Sequence, residues 1–379
     1  MTLFLVMFLL IYGSAHVWFL LRLGLAWPDL QQWWLLPVCW CLLMVAAPLL
    51  VRLLEQKGQS TLALPVAYIG YSWMGLLFVF VSISLVLELA RLLHWSARFF
   101  LNIPAFSLLE PRPFFLFCLG LSALITCYGW FEAAHLKTDY HTLRSSKLPK
   151  GASRIRIVQI SDLHVGLIVG VDQVQKLVAA VKREKPDLVV ATGDTVDGLV
   201  SHSHEVAALL HELSAPMGRF AVFGNHEYYA GIGQSRRFLE QSGFKVLQNK
   251  TELAGNYLAL VGLDDPAARR PVQSQVLEEA TLLGSVPKER FVLLLKHRPE
   301  IGAESGGLFD LQLSGHVHKG QIFPFNLLTW LRFPVRAGMN DLTGGRWLYV
   351  SRGTGTWGPP IRFLAPPELT VIDLMPVEN

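Results

Sequence analysis

The chain is 379 residues long, 52% hydrophobic and only 16% charged, which is too apolar for a soluble enzyme of this size, so a membrane-embedded part is expected. Residues 1–150 carry ten Lys/Arg against six Asp/Glu, whereas residues 151–379 carry 23 of each, so the whole formal charge of +4 sits in the first part. The pI of about 8.8 therefore marks membrane flanks rather than a basic nucleic-acid-binding face, and no nucleic-acid partner is expected.

Four stretches lack Asp, Glu, Lys and Arg for long enough to cross a bilayer core, which takes about 20 helical residues. They are Leu3–Leu21, Trp33–Val51, Thr61–Leu87 and Pro113–Phe131, and Trp27, Trp33, Trp34, Trp95 and Trp130 at their edges suit an interfacial belt. The first stretch follows Met1 and Thr2 with no basic region ahead of it and three more come after, so it reads as a true span rather than a cleaved signal. Apart from His16 the spans hold no ionisable group of the kind that marks an ion or proton path, which argues for an anchor over a transporter. Cys39, Cys41, Cys118 and Cys127 all fall in apolar stretches and read as packing residues; the C-terminal part has no thiol. The segment Glu88–Arg112 reads either as an interfacial amphipathic helix or as a loop. Six Lys/Arg on the side of the amino terminus, second loop and tail (Arg52, Lys57, Lys137, Arg144, Lys147, Lys150) against four on the other (Arg22, Arg91, Arg98, Arg112) place the C-terminal domain in the cytoplasm.

From residue 154 the pattern changes. Arg154–Ile160, Leu188–Ala191, Phe220–Phe223, Leu258–Val261, Phe291–Leu295, Leu311–Leu313, Trp347–Val350 and Leu369–Ile372 read as strands. Val171, Val174, Leu177, Val178 and Val181 fall at helical spacing before the stop signal Lys185-Pro186. The expected architecture is a four-span membrane helical bundle (residues 1–134), a linker (135–153, most clearly polar from Ser145 to Ser153) and an α/β domain (154–379) with a layered β-sheet core flanked by helices. No fixed-period repeat is present.

The residues that carry chemistry stand at the ends of those strands, where sites form in open α/β sheets. They are Asp162 and His164 after the first, Gly193-Asp194 after the second, Gly224-Asn225-His226-Glu227 after the third, Lys296-His297 after the fifth, and Gly315-His316-Val317-His318 after the sixth. Carboxylate and imidazole together suit borderline divalent ions such as Mn, Fe or Zn, and an Asn carbonyl adds a neutral oxygen that lowers the charge cost of crowding. One carboxylate, most naturally Asp194, can bridge two ions about 3.5–4 Å apart, an arrangement that clamps the attacking and leaving oxygens of a phosphoryl displacement. In Asp162-x-His164 and His316-x-His318 the alternate residues share a face if extended. Glycines 193, 224 and 315 allow close approach and positive φ.

These five motifs, in this order, resemble the calcineurin-like dinuclear metallophosphoesterases, whose pattern is Asp-x-His, Gly-Asp, Gly-Asn-His-Asp/Glu, a lone His, then Gly-His-x-His. The resemblance covers about residues 154–375. It implies one ion on Asp162, His164, Asp194 and His318, a second on Asp194, Asn225, His297 and His316, attack by a metal-bridging hydroxide, and His226 stabilising the transition state or protonating the leaving oxygen. Gly320-Gln321, Ser351-Arg352-Gly353-Thr354-Gly355 and Pro359-Pro360-Ile361-Arg362 look like the membrane-associated bacterial branch. Two departures are Val317, where many relatives have Thr or Ser, and Lys319, where many have Gly.

Other residues carry paired readings. Asp197 is either a support to the cluster or a helix-start carboxylate. Arg352 binds substrate phosphate or makes a structural ion pair, and Lys319 stands next to a ligand, within reach of substrate. His202, His204 and His211 read as solvated surface, with a second metal site the alternative. The apolar run Ile322–Val335 begins four residues after a candidate ligand and reads as a loop, with or without a short helix, that dips into the bilayer or receives an acyl or isoprenoid chain, or else folds over the core. The expected function is a membrane-anchored phosphoesterase acting on phosphate esters or diphosphates, preferably of an amphipathic or lipid-linked substrate held near by tethering. The alternatives are an anchored hydrolase of soluble phosphoesters and a non-catalytic metal-binding sensor or scaffold.

Overall fold

The computed structural model describes residues 2–101, 110–198, 203–269, 272–302 and 305–377. The chain divides into two units, one running to Phe131 and including Gly358–Phe363, the other made of Glu132–Trp357 and the residues from Leu364 on.

The first unit is helical: α1 (Thr2–Ala26), α2 (Leu35–Gln56), α3 (Ser60–Leu101) and α4 (Pro111–Ala134). All four are long and apolar enough to cross a membrane, and the chain is a multi-pass membrane protein. Large apolar side chains such as Leu10, Leu36, Leu42 and Leu124 face outward, as expected where lipid replaces water. Inside, Phe19, Phe80 and Phe115 meet ring to ring, with centroids 5.1–5.4 Å apart. Helices α2 and α3 approach through small residues: a Cβ on Gly70 would sit 2.6 Å from that of Ala47. The returning segment Gly358–Phe363 belongs here too. The Arg362 N–H donates to the Gly129 carbonyl, and a Cβ on Gly75 would meet Ile361. His16 is buried with both ring nitrogens engaged, Nδ1 with the Tyr12 carbonyl and Nε2 as acceptor from Trp73, so it is a satisfied core histidine.

The third span extends past Leu87, and within Glu88–Arg112 the residues up to Leu101 are helix rather than loop. Helix α3 runs for 42 residues, about 63 Å at 1.5 Å per residue, through Glu88 and on to Leu101. No Gly or Pro interrupts Leu87–Leu101, and Leu, Glu, Ala and Arg are good helix formers. Residues 102–109 of that stretch lie outside the described residues. Glu88 pairs with Arg22 and Arg91, both at 2.8 Å.

The second unit holds two six-stranded sheets. The first runs β1 (Lys137–Ser145), β12 (Glu368–Pro376), β2 (Ile155–Ile160), β3 (Leu188–Thr192), β4 (Arg219–Val222) and β5 (Lys245–Val246); β2 to β5 are parallel. The second runs β10 (Gly338–Asp341), β11 (Trp347–Val350), β9 (Leu311–Ser314), β8 (Phe291–Leu295), β7 (Leu258–Gly262) and β6 (Lys250–Ala254), parallel from β11 to β7. Alternate residues of the central strands explain the layering. Ile157, Leu188, Val190, Phe220 and Val222 face Leu258, Leu260, Leu293, Leu295, Leu311 and Leu313 between the sheets. Val158, Ile160, Val189, Ala191 and Ala221 turn outward to α5 (Val171–Glu184), α6 (Ser203–His211) and α8 (Ile232–Gln241). Ala259, Val261, Val292 and Leu294 pack on Leu283 of α9 (Val272–Gly284). The described residues of this unit also form the short helices α7 (Asn225–Ala230) and α10 (Phe325–Arg332). The architecture is therefore the expected one, helices on either side of layered sheets, behind four apolar spans.

Within the stretch read as a linker, 137–145 is instead β1, paired in parallel with β12 along its whole length.

Candidate active site

The site gathers at the carboxyl ends of β2, β3 and β4 in one sheet and β8 and β9 in the other. Backbone hydrogen bonds lock these ends together: Asp162 N–H to the Gly193 carbonyl, His164 N–H to Asp194, and Gly315 N–H to His297. Close approach at the three glycines is real. A Cβ on Gly193 would lie 2.6 Å from His297 Nδ1, on Gly224 2.2 Å from Asp194 Oδ1, and on Gly315 2.0 Å from Ser161 Oγ. Only Gly193, at φ +90°, also uses the left-handed region.

Asp162, His164, Asp194, His316 and His318 themselves sit at positive φ, between 47° and 71°. The two x-separated pairs therefore converge through left-handed backbone rather than along extended strands as the sequence suggested. Left-handed backbone at a non-glycine residue costs of order 1 kcal/mol or more and persists where the surroundings over-determine it. Five of the candidate site residues share it.

Two clusters result. Asp162, His164 and His318 bring their ligand atoms within 4.8 Å of one another, and so do Asp194, His297 and His316. His164 Nε2 lies 3.1 Å from His318 Nε2, which is 3.4 Å from Asp162 Oδ1. His297 Nε2 lies 3.1 Å from Asp194 Oδ2 and 3.2 Å from His316 Nδ1. An ion about 2.1 Å from each donor sets donors about 3.0–3.4 Å apart, so these spacings fit divalent cations. His297 Nδ1 donates to the Thr192 carbonyl at 2.8 Å, which leaves Nε2 as the ring atom that would meet an ion once its proton is lost. The Asn225 side-chain oxygen is buried and makes no hydrogen bond, the condition of an atom shaped to meet a cation. The donor set therefore suits a two-metal cofactor.

The electrostatics agree. Burial raises Asp194, but the imidazoles of His297 and His226 outweigh it and hold that carboxyl well below the usual range. Burial lowers His297, yet Asp194 and Asp162 push it up to about 10. Burial and the neighbouring His297 drive His316 down to about 3. Asp162 is raised by burial and by Asp194. Without cations the cluster balances its buried carboxylates with borrowed protons, the role divalent ions take over.

His226, on α7, lies beside both clusters. Its N–H donates to Asp194 Oδ1 at 2.8 Å, and its Nδ1 lies 2.6 Å from Asp197 Oδ1. Burial lowers it, but Asp194 and Asp197 prevail and raise it to about 9. Asp197 also lies 3.5 Å from His164 Nδ1, so it is no mere helix-start carboxylate. The sequence reading gave Glu227 no role. Its buried carboxylate accepts four backbone N–H bonds, from Gly224 (2.7 Å), Asp194 (2.9 Å), Thr195 (2.6 Å) and Val196 (3.1 Å), tying the turn after β3 to the start of α7. An acid at the third position of a helix that opens on Gly was the available signal.

Arg352 is brought elsewhere. Its guanidinium pairs with Asp139 of β1 at 2.8 Å and Glu368 of β12 at 3.0 Å, which is the structural ion-pair reading. Lys319 is exposed, at φ +50°. Val317 is buried with Phe333, Leu348 and Val350, which explains an apolar residue at that position. His204 and His211 are exposed on α6 and belong to none of the metal-binding groups found among the described residues; His202 lies outside those residues. Ile322–Val335 carries the two-turn helix α10, whose Leu327, Leu328, Trp330 (57% exposed) and Leu331 (73%) face outward, while Phe333 turns in against His316 with ring centroids 5.2 Å apart.

Comparison with known proteins agrees with this geometry. The calcineurin-like phosphoesterase family model matches residues 155–320. A metallophosphoesterase of Aquifex aeolicus is 40% identical over 256 residues, 67% of this chain and 97% of that protein. The metallophosphoesterase YkuE of Bacillus subtilis is 32% identical over 65% of this chain and 89% of its own. A transmembrane protein with metallophosphoesterase domain from Danio rerio is 32% identical over 68% of this chain, although the match spans only 61% of that relative. The chain belongs to the calcineurin-like metallophosphoesterase family. With its donor clusters and apolar helices it is a membrane-associated, metal-dependent phosphoesterase.

Proposed function

We propose that residues 154–379 hydrolyse phosphate ester or diphosphate bonds of an amphipathic or lipid-linked substrate, on the cytoplasmic face of the membrane, as a member of the membrane-associated bacterial branch of the family. The observation that carries the lipid reading is α10, an outward apolar helix whose end is seated by Phe333 on the candidate ligand His316. The six-to-four distribution of Lys/Arg supports the orientation.

Asp162, His164, Asp194 and His318 would hold one ion and Asp194, Asn225, His297 and His316 the other, with Mn, Fe or Zn the fitting metals. When bound, the ions lower the pKa of water and offset charge on the phosphoryl oxygens. The remaining steps fall to side chains. Asp197 holds His226 by Nδ1, which leaves Nε2 to deliver a proton to the departing oxygen. Glu227 fixes the loop that presents Asp194. Lys319, exposed next to His318 in the chain, would meet an anionic group of the substrate.

The test is phosphate release from an aryl phosphate by the purified full chain with Mn, Fe or Zn, beside Asp194→Asn and His226→Ala. Equal inertness of all three with metal bound sinks the reading. Rates on a detergent-dispersed lipid phosphate and on a soluble ester, with Leu328→Ser and Leu331→Ser together, separate the substrate classes: the lipid rate should drop and the soluble rate hold. Protease accessibility in sealed vesicles checks the orientation.

A further inference from the structure

Two aromatic side chains stand exposed beside His226. Tyr229, one helical turn along α7 and 63% exposed, has its ring centroid 5.5 Å from that of His226. Trp357, 47% exposed, lies 5.8 Å from it, edge to face. The backbone that carries Trp357 is held in place. The buried side chain of Gln321 closes two hydrogen bonds on the backbone of Trp357: its Oε1 accepts from the Trp357 N–H and its Nε2 donates to the Trp357 carbonyl, both at 2.9 Å. Gln321 does this from φ +57°, a left-handed conformation that costs a non-glycine residue energy. The preceding residues are laid along the first strand end of the site, with Thr354 N–H donating to the Ser161 carbonyl and Gly355 N–H to that of Asp162. A Cβ on Gly355 would fall 2.0 Å from the Leu163 carbonyl oxygen, so this close approach needs glycine.

The fold thus holds the backbone at and just before a tryptophan whose half-exposed ring meets His226. A ring face held open next to the group that faces the leaving oxygen is a recognition surface, because it offers dispersion and stacking area whose ordering cost is already met. We infer that Tyr229 and Trp357 form the leaving-group subsite, that it takes phosphoesters whose leaving group is aromatic or otherwise apolar, and that Gln321 is the positioning residue that sets Trp357. The inference rests on the proposed role of His226 and narrows the substrate class.

Binding tests it without turnover. Phenylphosphonate and methylphosphonate carry the same anionic group and differ in the apolar part. Calorimetric titration of each into the Mn-loaded full chain in detergent should show the phenyl compound binding about tenfold tighter. Tyr229→Ala and Trp357→Ala should each reduce that ratio about threefold, while Tyr229→Phe and Trp357→Phe restore it. Gln321→Ala should match Trp357→Ala and add nothing to it in the double variant, the signature of a residue acting through its partner. Equal binding of the two phosphonates by wild type, or a preference that survives loss of both rings, overturns the subsite; additive effects of Gln321→Ala and Trp357→Ala overturn the positioning role. A wild-type protein that keeps the preference yet hydrolyses no ester leaves the subsite standing and refutes the enzymatic reading alone.

Discussion

Glu227→Gln isolates one side chain that touches no proposed ion yet holds the loop carrying Asp194. In the wild type Oε1 accepts from Thr195 and Val196 and Oε2 from Gly224 and Asp194. The amide keeps one oxygen, so two of the four bonds are lost and an NH2 faces two backbone donors. Hydrogen bonds to a charged acceptor contribute about 1.5–3 kcal/mol each, which puts the gross loss at about 3–6 kcal/mol. Part is recovered, because burial and the Asp194 charge already push Glu227 up and the neutral amide escapes both. A net cost of about 3 kcal/mol corresponds to roughly 6–12 °C in melting temperature for a domain of this size. The loop bearing Asp194 should move as well, so the variant should retain fewer than two ions per chain. Thermal unfolding of the full chain in detergent and elemental analysis after dialysis measure both. An unchanged melting temperature with two ions retained would show that the four bonds are not what holds the site.

Asp197→Asn removes two of the influences that raise His226, so the pKa of that imidazole falls. A proton donor works below its pKa, and the alkaline limb of kcat/KM should therefore move to lower pH; a limb that stays in place refutes the pairing. Because His297 is pushed up to about 10, it is protonated at neutral pH in the ion-free cluster and must lose its proton to bind. Metal uptake should release protons, and affinity should weaken as pH falls, which titration calorimetry in buffers of different ionisation enthalpy would detect. Phe333→Ala empties the seat between His316, Val317, Leu348 and Val350 and should cost about 3 kcal/mol, the low end for a residue at the edge of the core. If the lipid reading holds, activity on a lipid phosphate falls further than activity on a soluble ester, and equal losses count against it.

How much was legible in the sequence follows burial. Central strands such as β3 and β8, buried at every position, announce themselves as short apolar runs, and all eight strands read from the sequence are present. Among the described residues, the four strands missed, β1, β5, β6 and β10, are the four edges of the two sheets. Edge strands keep one side in water and carry polar residues such as Lys137, Thr138 and Asp139, so they lack the run that marks a strand. The same reasoning explains α3, whose apolar count ends at Leu87 while the backbone has no cause to stop before Leu101.

Residue types and their order at strand ends determined the chemistry: imidazole, carboxylate and amide oxygen select a divalent cation wherever they meet, and composition alone requires a membrane. Their meeting point was decided in three dimensions. Left-handed backbone turns Asp162, His164, Asp194, His316 and His318 inward, and two separate sheets stack to bring the ends of β2, β3 and β4 opposite β8 and β9. The same holds for Glu227 on the distant amides of Asp194, Thr195 and Val196, for Asp197 on His226 and for Arg352 drawn to Asp139 and Glu368, since a partner far along the chain leaves no periodicity to read.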